Sequence, residues 1–390
     1  MKEKLRLLLA RPVLRDYRLL LGLWLLLAVI AALMKMHSHN NFLIFRGTFW
    51  HAWQGVSLYA EYPLEHWDTN HYGPLFALLF APFAVVPEWL GLLMWCVALT
   101  LLLYIAVRRS LFTDRQQVFV LWFCAHELLT ALYMQQFNIA IAAILLLSFF
   151  LIEQERDAEA AFFIVVGTLV KLYGVVGLAF FLFSRHKLKL VLSLVGWGVI
   201  LFAVPMVLGG PDYIVSQYAE WYHSLVGKND ANLFAPHQNI SLLGMVRKIS
   251  GSAAYSDLWL ILPGMLLFAL PYLRRNQYRF MAFRQTILAS VMMFVVLFST
   301  GSESSGYIIA LVGVVVWYTC VPWRRTRWDV ALMVFAFVLT SLSPSDLFPA
   351  YLRKEWVQPY ALKALPVTLV WLKLCYEICT KDYAEPTTVR

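Results

Sequence analysis

A run of about 18 apolar residues leaves the chain few choices. In lipid it must pair every backbone polar group within its own segment, so it becomes a helix that crosses the bilayer. Ten stretches of this sequence read that way: 19–36, 88–107, 117–134, 138–152, 190–208, 257–273, 286–300, 306–321, 328–343 and 362–379. Composition agrees. The chain is 61% hydrophobic and 14% charged, whereas soluble domains run near 45–50% and about 25%. The 390 residues would otherwise suggest two or three soluble domains. The expected fold is an all-α polytopic bundle forming one transmembrane domain over 1–390. Its two large outer loops are expected at 37–87 and 209–256.

The net charge of +9 is not the footprint of a nucleic-acid binder. No basic stretch is interleaved with stacking aromatics in a soluble segment. Arg and Lys gather instead in short connections: Arg108–Arg109, Arg185 to Lys189, Arg274–Arg275 and Arg324 to Arg327. That is the positive-inside pattern. It places both termini in the cytoplasm of a multi-pass plasma (inner) membrane protein. About 22 of the cationic residues then lie inside and about 8 outside. The basic segment 1–18 leads into a long apolar run without a small-residue cleavage site, which reads as a retained helix. The five cysteines fall in or at the end of apolar runs, with no CxxC pair or Cys/His cluster, so neither zinc nor a disulfide framework is indicated.

Two apolar stretches do not fit as spans. The stretch 75–86, about 12 residues long, is too short to cross as a helix; it is punctuated by Pro74, Pro82 and Pro87 and is expected at the outer interface. The stretch 158–184 is broken near Lys171 and Gly174. Read as one span, it would put Arg185, Lys187 and Lys189 outside. A re-entrant pair of half-helices keeps them in the cytoplasm, and non-helical backbone is tolerated at that depth where it is buried in protein or lines a cavity. Lys171 sits at the break. It is either a functional cation with a partner or watery cavity, or a side chain snorkelling to the interface.

The first outer loop carries the most chemistry. The spacing predicts an amphipathic helix over 41–54, with Phe42, Phe45, Phe49 and Trp53 on one face and Thr48, His51 and Gln54 away from it. Asn40 or Asn41 is expected to cap it and Gly55 to end it. Such a helix lies flat in the interface, either sealing the bundle or shaping a substrate site. Then follow Glu61, Glu65 and Asp68 among Tyr59, Tyr62, His66, Trp67, His71 and Tyr72. Aromatic faces stack on sugars and carboxylates bind their hydroxyls; the bland reading is a solvated loop with an aromatic belt. Three further outer segments are polar: 134–138, with Gln136 and Asn138; 235–244, with His237 and Gln238, leading to Arg247 and Lys248; and 299–306, whose one acid is Glu303.

The order of several short segments resembles glycosyltransferase family 87, integral membrane enzymes of the GT-C class that include polyprenyl-phosphate-mannose-dependent mannosyltransferases. The resemblance rests on Asn41-Phe42, Gly55-Val56-Ser57-Leu58-Tyr59, Tyr72-Gly73-Pro74-Leu75-Phe76 and Pro82-Phe83-Ala84. It continues in Gln136-Phe137-Asn138, with Gln135 where Gly is usual, then Lys171-Leu172-Tyr173 and His237-Gln238-Asn239-Ile240-Ser241. The matches cover roughly residues 20 to 310. The resemblance implies a GT-C-like bundle and sugar transfer from a polyprenyl-phosphate donor outside the cytoplasm. Family members generally carry an Asp after the first span, considered the base; here that position is Asn41, or Asn40. An amide does not accept a proton as a carboxylate does.

The expected catalytic residues are therefore Asp68 or Glu65, with Asn41 at the family position and Glu61 and Glu303 behind. Donor and acceptor are expected to meet Lys171, His237, Gln238, Arg247, Lys248, Gln136, Asn138, Glu303 and Tyr72. The partners implied are a polyprenyl-phosphate sugar, a lipid or glycan acceptor and membrane lipid. No P-loop, dinucleotide fingerprint or paired-Asp metal motif is found, so no cofactor is invoked. Two rivals belong to other classes: a transporter or flippase of lipid-linked sugars, and a non-catalytic lipid-binding assembly subunit, which Asn41 favours.

Overall fold

The computed structural model describes residues 12–235 and 237–384; among them the regular structure is helical, with no strand. Each of the ten apolar stretches has a helical counterpart. The first two are α1 (Tyr17–Lys35) and, after α2 (Asn40–Gln54) and α3 (Leu75–Ala84), α4 (Glu88–Arg108). Next come α5 (Asp114–Phe123) and α6 (Ala125–Tyr133), which share one stretch, then α7 (Asn138–Glu153). Helices Tyr17–Lys35, Glu88–Arg108 and Lys187–Gly209 are individually long and apolar enough to cross a membrane.

The core sits on helices that are apolar all round, the mark of a buried helix. Nearly every side chain of α7 is buried. The later helices Met281–Leu297 and Tyr307–Thr319 behave alike. By contrast, only Leu190 and Leu201 of helix Lys187–Ala203 are buried, and only Gly264 of Leu258–Ala269. Their outward faces are leucine and valine. That surface is stable only against lipid or another apolar partner.

The broken stretch is a hairpin. Helix α8 (Asp157–Val170) ends at Lys171, and a 3-10 arm, Leu172–Phe183, runs back along it. At about 1.5 Å per residue for the helix and 2.0 Å for the 3-10 arm, both arms are about 20–24 Å long. Runs of 3-10 helix this long are uncommon, and the sequence gives a reason. With three residues per turn, Gly174, Gly177 and Phe180 form a straight seam, and these are the arm's buried residues. A Cβ on Gly167 would lie 2.9 Å from the Gly174 Cα, and one on Gly174 would overlap the Gly167 backbone. At the open end, Ser184 donates to Asp157 at 2.6 Å and Arg185 pairs with Glu155 at 2.7 Å. The chain thus leaves the hairpin beside where it entered. The arms match α7 in length, since Lys171 at the tip bonds Asn138 at the start of α7. The expected pair of half-helices is thus an α-helix and a 3-10 arm joined at Lys171.

The cap and the two faces expected for 41–54 are corrected. α2 starts at Asn40 with His39 as its N-cap, and no side chain caps it. Gly55 ends it with φ 69°, a left-handed conformation that suits glycine. Phe42, Phe45 and Phe49 are buried as expected, but so are Thr48 and His51, while Trp53 is 62% exposed. The reason is that two layers cover it. Phe45 packs edge-on to Tyr72 and Phe76, both at 5.0 Å, and on the other side His51 stacks on Tyr62 at 3.8 Å.

The hairpin seam predicts a large difference between two glycines. Gly174→Ala forces the arms apart and is expected to cost about 1–3 kcal/mol. Gly196→Ala meets nothing within 4 Å and, in a helix interior, is expected to be neutral or to stabilise by up to about 1 kcal/mol. Thermal unfolding of the two variants in detergent checks the contrast.

Candidate active site

Three outer segments meet at the hairpin tip. The Gly73 N–H donates to the Val170 carbonyl at 3.0 Å, which fixes the first loop on the tip. A Cβ on Gly73 would overlap the Leu169 carbonyl oxygen and lie 3.1 Å from Trp221, so only glycine fits this crossing. Trp221 belongs to a polar helix, Pro211–Ala231. Its indole N–H donates to the His71 carbonyl at 2.9 Å.

That helix occupies much of the expected outer loop 209–256, and its residues are absent from the expected site set. Its signal was a polar stripe at helical spacing: Tyr213, Gln217, Glu220, Ser224 and Lys228. The stripe grips the first loop. Tyr213 donates to the Val56 carbonyl at 2.6 Å, Gln217 accepts from the Leu58 N–H at 2.8 Å, and Ser57 donates to Glu220 at 2.5 Å. Between loop and helix lies a cavity of about 700 Å³, whose walls include Tyr59, Asp68, His71, Glu220, Lys228 and Gln238.

Asp68 is the acid of the expected pair that reaches this cavity. It is 40% exposed, with one oxygen 4.0 Å from His71 Nε2 and the other 4.0 Å from Lys228 Nζ. The Thr69 N–H donates to it at 2.8 Å. Glu65 is turned away to His51, 3.1 Å from its ring. His71 bonds Ser224 through Nδ1 at 2.8 Å. Burial holds its imidazole far below the ordinary value, at about 3; Lys228 adds to the effect and Asp68 opposes it.

Behind Tyr72 lies a second group, a polar floor set apart from the cavity walls. Lys171 donates to Asn138 Oδ1 at 2.7 Å and lies 5.6 Å from the centre of the Tyr72 ring. The Asn138 amide donates to Gln136 and to Ser305, both at 2.9 Å. Gln136 donates its own amide to Glu303. The Tyr72 hydroxyl accepts the Phe137 N–H at 3.3 Å. So the structure brings together Lys171, Gln136, Asn138, Glu303 and Tyr72, five of the residues singled out from sequence.

The others are placed differently. Asn41 donates to the Met134 carbonyl at 2.8 Å, which ties α2 to the end of α6. Arg247 is buried and engaged with Asp257 at 2.6 Å and with the Ser252 and Tyr255 carbonyls. Lys248 donates to the carbonyls of Ala235 and Gln238, and burial lowers its ammonium to about 8. These two cations are thus engaged with their own segment, Arg247 with Asp257 and Lys248 with two backbone carbonyls. His237 is exposed. The backbone of Gln238 is held by Lys248 while its residue lines the cavity.

The described helices thus carry a cavity walled by Asp68, Glu220 and Lys228 with a buried amide and lysine group beside it. The comparison with known families is specific: the model of glycosyltransferase family 87 matches residues 70–300, more than half of the 390-residue chain. The chain belongs to that family and is a membrane glycosyltransferase. A comparison with curated proteins found no match. The matched region takes in His71, Tyr72, Gln136, Asn138 and Lys171, and leaves Asn41, Glu65, Asp68 and Glu303 outside it.

His71 gives the site a pH signature. Its folded pKa lies below the unfolded value of 6.5, so the unfolded chain binds the extra proton between those values. Stability from the neutral ring is complete above about pH 6.5 and is lost as pH falls toward 3. Melting curves between pH 7.5 and pH 4.5 should therefore fall less steeply for His71→Gln than for the parent chain.

Proposed function

We propose that this chain transfers a sugar, mannose or another hexose or pentose, from a polyprenyl-phosphate donor to a lipid or glycan acceptor at the outer face of the plasma membrane. Asp68 is the base. The observation that carries this assignment is its place on the wall of the 700 Å³ cavity beside Lys228, while Glu65 is paired with His51. The acceptor hydroxyl gives its proton to Asp68. The resulting oxygen attacks the anomeric carbon from the side opposite the phosphate. The bond from that carbon to the phosphate oxygen breaks, the configuration inverts, and polyprenyl phosphate leaves with its charge. Lys171 and Lys228 meet that charge, bound and departing. Tyr59 offers a ring on the cavity wall, and Glu220 offers a second carboxylate to the sugar hydroxyls.

The role left to Asn41 also fits an active enzyme. Its amide N–H donates to the Met134 carbonyl; a carboxylate has no proton for that bond. The loss of the family's usual acid at this position is compatible with transfer if the base has moved along the loop to Asp68.

Purified protein with a polyprenyl-phosphate sugar and mixed acceptors checks the base. Asp68→Asn is expected to lower the transfer rate by roughly 10²–10⁴-fold, the usual worth of general base catalysis. Glu65→Gln should stay within a few-fold of the parent. Full activity in both variants rules the assignment out.

The topology that goes with this reading has ten spans plus the hairpin, with both termini in the cytoplasm. Ser184 and Ser302 are buried, so exposed neighbours serve better as thiol probes. An impermeant maleimide added to intact cells should label Ser38→Cys and Gly301→Cys and should spare Arg185→Cys until the membrane is opened. Early labelling of Arg185→Cys would turn the hairpin around.

A further inference from the structure

Next to the Lys171 group lies a buried ion pair that the transfer chemistry does not use. Lys363 is 3% exposed and Glu127 is 0% exposed. The ammonium lies 2.7 Å from Glu127 Oε1, a contact between residues 236 positions apart. Its remaining protons go to one residue: the Ser304 carbonyl at 3.0 Å and the Ser304 hydroxyl at 2.9 Å. All three donors of the lysine are therefore spent, and two of them hold a single serine. The lysine is itself anchored, since its carbonyl accepts from Thr340 at 2.9 Å.

Ser304 stands between the two residues that grip the site floor. Glu303 accepts the Gln136 amide. Ser305 donates to Gln136 Oε1 at 3.0 Å and accepts from Asn138 at 2.9 Å. Asn138 then holds Lys171. A buried ion pair is a poor way to gain stability, because apolar side chains of like volume do as well or better. What it supplies is a fixed point, and here the fixed point is the turn that carries Glu303 and Ser305.

We propose that Glu127 and Lys363 are positioning residues for donor binding: by fixing Ser304 they set Glu303 and Ser305, and through Gln136 and Asn138 they hold the Lys171 ammonium where the donor phosphate docks. The inference rests on the reading that Lys171 meets that phosphate. Lys363 lies beyond the residues that match the family model, so the device joins the C-terminal part of the chain to the site.

The test uses the purified full chain and a polyprenyl-phosphate sugar, with donor and acceptor varied separately. The double variant Glu127→Leu/Lys363→Met removes both charges together and leaves no unpaired charge; what Ser304 loses is the two bonds under test. It should melt near the parent temperature, yet show a donor KM raised about tenfold and a kcat lowered about tenfold, the scale of one lost charge-assisted hydrogen bond. Its acceptor KM should not change, which a general loosening of the fold would not spare. Ser304→Ala leaves the ion pair intact and should shift donor KM and kcat the same way, by about threefold; it decides the matter alone if the double variant does not fold. Lys171→Met separates the two ideas. If it raises donor KM while the double variant and Ser304→Ala keep parent values, the positioning role is overturned and the phosphate reading stands. If Lys171→Met keeps the parent donor KM, the phosphate reading falls and the positioning role falls with it.

Discussion

The hydrogen bond from the Gly73 N–H to the Val170 carbonyl joins two parts of the chain that composition alone would keep apart. One is a polar loop that belongs in water. The other is the end of an apolar helix that belongs in lipid. The Val170 carbonyl is among the last of its helix and has no partner within it. The Gly73 amide supplies that partner at 3.0 Å. The contact needs a residue without a Cβ, because a side chain at position 73 would strike the Leu169 carbonyl. Once it forms, Tyr72 lies beside Lys171, His71 lies under Trp221, and Asp68 faces Lys228. The geometry of both the cavity and the floor group follows from this crossing.

Charges at this depth are handled by pairing, and the pairs divide by what surrounds them. Arg284 with Glu153 and Arg325 with Glu377 are largely buried bridges whose remaining protons go to backbone carbonyls. Lys171 differs. It is not paired to a carboxylate directly but to the oxygen of an amide, with Glu303 one amide further on. Removing one partner of a buried ion pair costs about 3–5 kcal/mol, so a bridged lysine is a costly cation to hand to a substrate. A lysine held by an amide gives up only a neutral bond when an anion arrives. That distinguishes Lys171, at the start of α7, from Arg284, which pairs with Glu153 at its far end.

Much of this was legible in the sequence, for physical reasons that differ from residue to residue. The hairpin was legible because two independent constraints agree on it. Arg185, Lys187 and Lys189 have to stay with the other cytoplasmic cations, and the apolar run is too long for one stroke and broken at Lys171. The 3-10 form of the return arm was not legible, since an α-helical arm satisfies the same charge rule; the Gly174, Gly177 and Phe180 seam goes with the 3-10 pitch. Asp68 and Glu65 were equivalent as residues in a polar loop. What separates them is His51, on a helix 14 positions earlier, and no local pattern announces that contact. Arg247 and Lys248 read in the sequence as two adjacent cations, and only the fold shows that Asp257 and nearby carbonyls engage them.

The two departures from the family pattern illustrate how a position can keep its geometry and change its residue. Gln135 stands where glycine is usual and has φ 53°, a left-handed conformation that a side chain adopts at a cost of order 1–3 kcal/mol. The surroundings offset that strain: its carbonyl accepts the Trp95 indole N–H at 2.6 Å and its amide donates to the Tyr133 carbonyl at 3.0 Å. The turn that presents Gln136 and Asn138 is thereby kept. Asn41, where an acid is usual, likewise keeps the chain path by donating to the Met134 carbonyl, one residue before that turn. Both replacements bind the same short segment, 133–135, from opposite ends. They trade a glycine's freedom and a carboxylate's charge for hydrogen bonds to one connection. A loop stiffened in this way holds its amides still; in the proposed reaction the proton then goes to Asp68, on the cavity wall.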